Sequence, residues 1–191
     1  NSSITATSNY EKKHLKFYGK GYGGNLFYKR GFPRNHKRKN NMKPFVHLHL
    51  HTEYSLLDGA TRIEEMLAKC KELEMPAVAI TDHGNMYCAW KFLNAAKAAG
   101  IKPIIGCEFY MCENLHNTGW ENKEYFHLIL LAKNNVGYYN LCRLNSIAWV
   151  EGFYYKPRID WETLVKYHEG IVCLSACIAG QLPRLFLADR P

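Results

Sequence analysis

The chain has 191 residues, enough for one globular domain, and 47% of them are hydrophobic. Its formal net charge of +8 is concentrated in residues 1–41, which hold ten lysines and arginines against one acidic residue, whereas residues 42–191 hold fifteen against sixteen. The total charge therefore gives no evidence for a basic, nucleic-acid-binding face on the main body of the chain.

Residues 1–41 are predicted to be a basic, disordered extension or the product of upstream translation. They show no apolar periodicity and contain four glycines between positions 19 and 24. Met42 would serve as a start codon, and residues 42–191 are expected to hold the folded domain. A nucleic-acid-binding arm is the functional alternative for the extension.

The seven cysteines are odd in number and have no paired spacing. No apolar leader opens the chain and no run approaches the roughly 18 apolar residues of a membrane helix, so the reducing cytoplasm is the expected compartment. Cys177 stands apart because it follows an apolar run and precedes Gly180. Five others are expected to pack as small core residues: Cys70, Cys107, Cys112, Cys142 and Cys173.

The first predicted element is a β-strand from Phe45 to His51, where histidines alternate with apolar residues. In a strand His47, His49 and His51 share one face, and the apolar residues between them share the other. Burying an imidazole without a partner is unfavourable, so metal binding is the predicted reason for placing these histidines together.

Two helices are predicted next. The first covers about residues 63–73, with Thr61 or Asp58 as its N-cap, and the second covers about residues 87–99 and ends at Gly100. Each follows an apolar strand, an order typical of a parallel sheet covered by helices.

Later strands each carry a further possible metal ligand. The strand at residues 77–83 ends in Asp82 and His83, and the strand at about 103–110 contains Glu108. Because donors at strand ends meet at the mouth of a barrel, a barrel is favoured over an open sheet. Such a barrel takes roughly 200 to 250 residues, whereas residues 42–191 number 150, so the chain is expected to be cut short.

His127 and Cys177 belong to two further predicted strands, at residues 126–132 and 171–177. His127 opens its strand, which would place it at the wrong end of a strictly parallel barrel. If the strands of Glu108 and His127 ran antiparallel, the two side chains would meet, and the sequence leaves this open.

Three segments resemble the N-terminal PHP (polymerase and histidinol phosphatase) domain of bacterial replicative DNA polymerase III alpha subunits: His47–Gly59, Met75–Met86 and Ala99–Glu108. The resemblance implies a distorted, TIM-like (β/α)7 barrel, truncated here before its closing strands. A final Asp-x-His motif of the family has no counterpart before Pro191, and Cys88 stands where the family commonly has glycine.

The family's ligand positions fall on seven residues: His49, His51, Asp58, His83, Glu108, His127 and Cys177. His47 and Asp82 are interpreted as supports for ligands, and His116 and His168 as solvated histidines. The donor set suits Zn²⁺ first, with Mn²⁺ or Fe²⁺ as alternatives, and Asp58 and Glu108 could bridge two ions. Paired ions polarise phosphoryl groups and acidify water, which favours phosphoester hydrolysis.

The resemblance further implies a parent DNA-directed DNA polymerase, a nucleotidyltransferase that uses Mg²⁺, binds a DNA primer-template and other replicative subunits, and proofreads as a 3′ to 5′ exonuclease. The polymerase carboxylates would lie outside this chain, which is expected to be inactive alone. The alternatives are a freestanding PHP phosphatase and a catalytically silent structural domain. An amidohydrolase would need a metal-bridging lysine, for which the sequence offers no position.

Overall fold

The computed structural model describes residues 45–119 and 124–188. The predictions for residues 1–41 lie outside this range. Five helices and six strands are assigned within it, in the order α1 (Ile63–Glu72), β1 (Ala77–Ile80), α2 (Ala89–Ala99), β2 (Lys102–Met111), β3 (Phe126–Ala132), α3 (Asn135–Val150), β4 (Phe153–Tyr154), β5 (Lys156–Ile159), α4 (Trp161–Lys166), β6 (Ile171–Leu174) and α5 (Gln181–Leu187).

The strands form one mixed sheet in the order β4-β5-β2-β3-β6, with β1 paired to β2. β1 and β5 run parallel to β2, whereas β3 runs antiparallel both to β2 and to β6. The predicted α/β class is confirmed. The sheet is open over the described residues, so the predicted barrel is not confirmed.

The segment from Phe45 to His51 is not the regular strand that was predicted. It lies beside β1, where the Ala79 and Thr81 N–H groups donate to the carbonyls of His47 and Leu50 at 2.9 and 2.8 Å. Two residues along β1 are thus matched by three in this segment. As in a β-bulge, the extra residue breaks the alternation of side chains between the two faces.

The helix boundaries differ slightly from the predicted ones. α1 begins after Arg62, which makes no side-chain cap, so neither Thr61 nor Asp58 is its N-cap. Asp58 instead contacts the imidazole of His83. α2 begins two residues later than predicted and ends, as predicted, at Gly100, whose φ of 72° is the left-handed conformation that favours glycine.

Two apolar clusters hold the elements together. In the first, α1 and α2 pack on β1 through residues such as Leu67, Phe92 and Ile80, all buried. In the second, α3 packs on β2 and β3 through residues that include Leu141 and Leu130. Burying each such side chain stabilises the fold by about 1.5–3 kcal/mol. None of the helices within the described ranges has both the length and the apolar character needed to cross a membrane.

The cysteine predictions are mostly confirmed. Cys70, Cys107 and Cys112 are buried, and Cys142 is half-buried on α3. Burial raises the pKa of the Cys107 thiol well above its ordinary value, so it remains protonated at neutral pH. Cys173 is exposed, and the prediction that it packs in the core is wrong. It lies on β6, which ends the order of strands in the described sheet and has both central residues exposed.

Candidate metal centre

Glu108 is the centre of the candidate site. Its carboxylate is fully buried, and imidazoles surround both of its oxygens. Oε1 lies 3.1 Å from Nε2 of His49 and 3.1 Å from Nδ1 of His127. Oε2 lies 3.6 Å from Nε2 of His51 and contacts Nδ1 of His83. A carboxylate with four imidazoles around it has the composition of a divalent-metal site.

The register of the sheet produces this convergence. Beyond β1 the chain continues along β2, where His83 pairs with Glu108 and the Glu108 N–H donates to the Asp82 carbonyl at 3.0 Å. On the other side, antiparallel β3 places His127 opposite Tyr110, two residues from Glu108. The strand direction that the sequence left open is therefore antiparallel, and it lets a residue at the start of β3 reach the carboxylate.

The donor atoms divide into two groups that share Glu108. One contains His49, His51 and Glu108, and the other contains His83, Glu108 and His127. Within each group the donor atoms lie within 4.8 Å of one another. The Nε2 atoms of His49 and His51 are 3.1 Å apart. Two groups joined by one carboxylate are what a bridged pair of ions requires.

Asp58 and Cys177 lie at the margin of these groups. Oδ2 of Asp58 is 3.1 Å from Nε2 of His83, the ring nitrogen that faces away from Glu108, and the Asp58 side chain is 63% exposed. Sγ of Cys177 is 3.8 Å from Nδ1 of His127. The structure thus brings all seven predicted residues into one connected cluster. Asp58 and Glu108 were both predicted as possible bridging carboxylates. Glu108 is shared by the two donor groups, whereas Asp58 belongs to neither.

The polar atoms of the cluster favour a bound cation. Both oxygens of Glu108 and Nδ1 of His83 are buried and have no hydrogen bond of acceptable geometry within the described residues, despite their close contacts. Buried polar atoms are normally satisfied, because an unpaired one costs about 1–3 kcal/mol. Lone pairs that converge without a proton between them would be satisfied by a shared ion, so the residues fit a metal.

The same contacts shift the ionisation of the cluster. Burial opposes ionisation of Glu108, but the surrounding His127, His49 and His83 outweigh it and hold the pKa of the carboxyl well below its usual range. The Glu108 carboxylate raises the pKa of His83, although burial opposes this. Burial and the neighbouring His83 lower the pKa of His51. Glu108 is therefore an anion, the form that binds metal.

Behind the ligands, Asp82 organises a buried hydrogen-bond network. Its carboxylate accepts from the Thr52 backbone N–H at 2.6 Å, the Thr52 hydroxyl at 2.8 Å and the Ser55 hydroxyl at 2.8 Å. The Cys88 thiol donates to it at 3.1 Å, and burial, together with the neighbouring Asp82 carboxylate, raises the pKa of Cys88 to about 12. The loop that follows the histidine segment is thereby fixed to the end of β1.

Ser55 connects this network to the ligands. The Ser55 hydroxyl donates to Asp82, accepts from the His83 backbone N–H at 3.2 Å and lies 3.4 Å from Nδ1 of His51. Because the hydroxyl proton is directed at Asp82, the contact with His51 requires a proton on Nδ1. That tautomer leaves the lone pair of Nε2 directed toward Glu108. Asp82 thus supports a ligand, as predicted, but it acts through Ser55.

The prediction that His47 faces the cluster as a support for the ligands is wrong. His47 is exposed and its ring packs edge-on to Phe45, at 4.8 Å between centroids, because the extra residue in its segment turns it away from the cluster. His116 and His168 are exposed, as predicted. Thr52 and Ser55 were missed, since nothing in the sequence indicates that hydroxyls in this loop pair with a carboxylate 27 to 30 residues later.

Comparison with known proteins identifies the family. The family model described as the PHP domain matches residues 47–191. The chain belongs to the PHP family. The matched residues include every residue of the cluster, from His49 to Cys177, so the buried carboxylate with its imidazoles lies entirely within the PHP domain.

Relatives of this PHP domain are named DNA polymerase III subunit alpha. The chain is 54% identical over 149 residues to DNA polymerase III subunit alpha of Borreliella burgdorferi, and 50% identical over 152 residues to that of Treponema pallidum. Each match covers 76% of this chain and 13% of the relative, so the chain spans about an eighth of their length.

A solved structure is also similar, though weakly. It is an amidohydrolase from Chromobacterium violaceum with bound sulfate and without metal, at 20% identity and a TM-score of 0.37. The match covers 53% of this chain and 34% of that one. This likeness is too weak to carry a functional conclusion.

Proposed function

We propose that this chain is the metal-binding PHP domain of a DNA polymerase III alpha subunit and that the site hydrolyses phosphodiester bonds at the 3′ end of a DNA primer. One observation carries the proposal: two groups of donors share the buried carboxylate of Glu108. A single structural zinc ion needs four donors and no second group. A shared carboxylate is instead typical of paired ions that act on phosphoryl oxygens.

The residues divide the work of holding the ions. In this proposal His49 and His51 would hold one ion and His83 and His127 another, and Glu108 belongs to both groups of donors. Asp58 and Cys177 are proposed as outer ligands of the same cluster, because each contacts one of the inner imidazoles. Mixed imidazole, carboxylate and thiolate donors favour Zn²⁺, with Mn²⁺ or Fe²⁺ as alternatives.

The chemistry follows from that arrangement. Divalent ions there would polarise a phosphoryl group and make water more acidic. Glu108 supplies a negative charge to the cluster, and Ser55 holds the tautomer of His51. The Asp58 carboxylate accepts a hydrogen bond from the Nε2–H group of His83. Asp58 is exposed beside the reacting centre, so it is placed to take up a proton released there.

The parent protein completes the proposal. In it, the open sheet forms part of a distorted (β/α)7 barrel that further strands close. Nucleotide addition uses Mg²⁺ and carboxylates outside this chain. The partners are a DNA primer-template and other subunits of the replicative polymerase, and the compartment is the cytoplasm. These proposals rest on the relatives that share this PHP domain.

The test is metal content and exonuclease activity in the polymerase that contains this domain. His49→Ala is expected to lose more metal than His116→Ala, because His49 contacts Glu108 whereas His116 is exposed in a loop. Elemental analysis measures the metal, and a primer with a mismatched 3′ end, with added Zn²⁺ or Mn²⁺, measures hydrolysis. Equal metal content in the two variants would show that the wrong histidines were chosen.

The 191-residue chain is tested beside the longer protein. We expect it to bind metal partially and to hydrolyse negligibly, because the family's final Asp-x-His motif would supply donors that this chain lacks. Robust cleavage by the short chain would contradict that expectation. Full metal content without cleavage by the longer protein would instead favour a structural role for the domain.

A further inference from the structure

A cavity of about 510 Å³ opens beside the metal-ligand cluster. His83, His127 and Asp58 line it on the side of the cluster. The remainder of its lining is strongly aromatic and, besides Tyr54, includes six rings: Tyr87, Tyr110, Tyr125, Trp149, Phe153 and Tyr155. We refer to these six residues as the aromatic wall.

The aromatic wall joins the cluster directly. The ring of Tyr110 is nearly parallel to that of His83, at 6.3 Å between centroids, and lies edge-on to His127 at 5.4 Å. The indole N–H of Trp149 donates to the carbonyl of Gly84 at 2.8 Å, which fixes this ring next to His83. The wall is therefore held in place by the same segment that carries a ligand.

The outer part of the wall exposes two rings to solvent. Phe153 is 51% exposed and Tyr155 is 66% exposed. Phe153 stacks on Trp149 with 5.5 Å between centroids and 19° between planes. An apolar patch of this kind beside a polar site typically marks a binding surface.

The backbone holds Phe153 and Tyr155 in a fixed orientation. Tyr155 forms the turn between β4 and β5 with a φ of 59°, a left-handed conformation that residues with a Cβ rarely adopt. At the base of the hairpin, the buried Arg158 donates from Nε to the carbonyl of Gly152 at 3.1 Å. A backbone held in an uncommon conformation by its surroundings is typical of a ligand-binding segment.

A positive charge lies on the same wall. Lys156 follows Tyr155 and lines the cavity, with its Nζ 5.4 Å from the centroid of the Tyr110 ring. Flat rings that are exposed beside one lysine match the two parts of an unpaired nucleotide, since a base stacks on aromatic faces and a phosphate pairs with an ammonium group. A small phosphate ester would not need the rings.

We propose that the aromatic wall binds the unpaired bases of a single-stranded DNA end by stacking, with Lys156 beside the phosphate backbone. This inference rests on the proposed function and specifies its substrate as a frayed end. A paired terminus keeps its bases stacked within the duplex, so it cannot use the wall. The cavity therefore selects a mismatched end before hydrolysis begins.

The test compares two oligonucleotides of equal length and charge. A dye-labelled oligothymidylate and its abasic counterpart are titrated with the 191-residue chain in EDTA, and binding is measured by fluorescence anisotropy. We expect the oligothymidylate to bind more tightly by about 5- to 150-fold for each base that stacks. Equal affinities would overturn the proposal.

Variants locate the binding. Phe153→Leu and Tyr155→Gly should weaken oligothymidylate binding several-fold and leave abasic binding unchanged, because each removes a ring and no charge. Tyr139→Ala is the matched control, since Tyr139 is a tyrosine 71% exposed on α3 and outside this cavity. Lys156→Gln should weaken both oligonucleotides alike. If the two ring variants bind as the wild type does, the wall does not stack bases.

Metal measurements separate this test from that of the proposed function. His49→Ala should lose metal yet still distinguish the two oligonucleotides in EDTA, because His49 does not line the cavity. Tyr155→Gly and Phe153→Leu should retain the metal content of the wild type. A chain that binds metal and hydrolyses primer ends but does not discriminate between the oligonucleotides would overturn the stacking site alone. The same lack of discrimination between the oligonucleotides would be found if the aromatic wall binds another protein and not DNA.

Discussion

Replacing Asp82 with asparagine tests how the metal ligands are held, because it removes a charge and preserves the shape of the side chain. Asp82 is 1% exposed and accepts four hydrogen bonds, two from Thr52, one from Ser55 and one from the Cys88 thiol. No side-chain cation is among these partners. The negative charge of Asp82 is therefore stabilised by neutral hydrogen-bond donors alone.

The expected loss in the free energy of unfolding differs between Asp82→Asn and Asp82→Ala. In Asp82→Asn the amide oxygen can replace Oδ1, which accepts from the Thr52 N–H and the Ser55 hydroxyl. The amide N–H₂ then faces the Thr52 hydroxyl and the Cys88 thiol, both of which can turn to accept. The two remaining bonds lose charge assistance of about 1 kcal/mol each, or about 2 kcal/mol in total.

Asp82→Ala should cost more. The Thr52 N–H is buried and cannot turn, and the hydroxyls of Thr52 and Ser55 lose their acceptor as well. At about 1–3 kcal/mol for each of these three unsatisfied groups, the free energy of unfolding should fall by about 3–9 kcal/mol. That is comparable to the whole stability of a small domain.

Urea unfolding measures these costs, and competition with a chelator measures Zn²⁺ affinity. Because Asp82 orients Ser55, and Ser55 the ring of His51, Asp82→Ala should also weaken Zn²⁺ binding by about 10- to 100-fold, whereas Asp82→Asn keeps an acceptor for Ser55 and should weaken it less. Glu72→Gln is the control, since its exposed pair with Lys69 contributes less than about 1 kcal/mol. If Asp82→Ala lowers the free energy of unfolding no more than Asp82→Asn does, or if Zn²⁺ affinity is unchanged in Asp82→Ala, the reasoning is wrong.

The sequence predicted well where local patterns determine structure. Apolar runs that end in polar donors correctly predicted β1, although it ends at Ile80 and not at His83, and placed Glu108 within β2; the bounds predicted for β3 are those observed. The antiparallel direction of β3 was not predictable. It depends on how the connection after β2 returns the chain, and hydrophobic periodicity carries no information about direction.

The failures share a cause. The alternation of His47, His49 and His51 predicts a common face only if every residue of the segment pairs in turn, and one extra residue against β1 removes that condition. Hydrogen-bond partners across strands are chosen by tertiary contacts, so the bulge has no signature in the sequence.

The aromatic wall was invisible for a similar reason. Its rings come from separate stretches of the chain, at Tyr87, Tyr110, Tyr125 and residues 149–155, and none of these stretches is unusual alone. The chain has 27 residues between Tyr125 and Phe153, and they include β3 and α3 before the hairpin returns to the cavity. Only the assembled sheet places the rings beside His83.

Two further predictions concern pH. Asp160 caps α4 by accepting from Thr163 N–H at 2.9 Å and also accepts from Leu115 N–H at 3.1 Å, so Asp160→Ala should cost about 2 kcal/mol in urea unfolding at pH 7. Burial opposes the shift, but these bonds lower the pKa of Asp160. The stability that Asp160 contributes is therefore present above its pKa in the unfolded chain and is lost as pH falls through its pKa in the folded chain. The stabilities of wild type and variant should converge in acid. For His83 the signs are reversed. The contact with Glu108 raises the pKa of His83. In the metal-free chain the stability that His83 contributes is therefore complete below its pKa in the unfolded chain, and it is lost as pH rises through its pKa in the folded chain. Metal needs the deprotonated ring, so Zn²⁺ affinity should instead increase over the same rise in pH, until the ring is fully deprotonated. Unfolding is therefore measured from pH 6 to pH 8.5, once in EDTA and once with Zn²⁺. In EDTA the free energy of unfolding should decrease as pH rises, whereas the increase in that free energy caused by Zn²⁺ should grow. A Zn²⁺ affinity independent of pH over this range would mean that His83 is not a ligand.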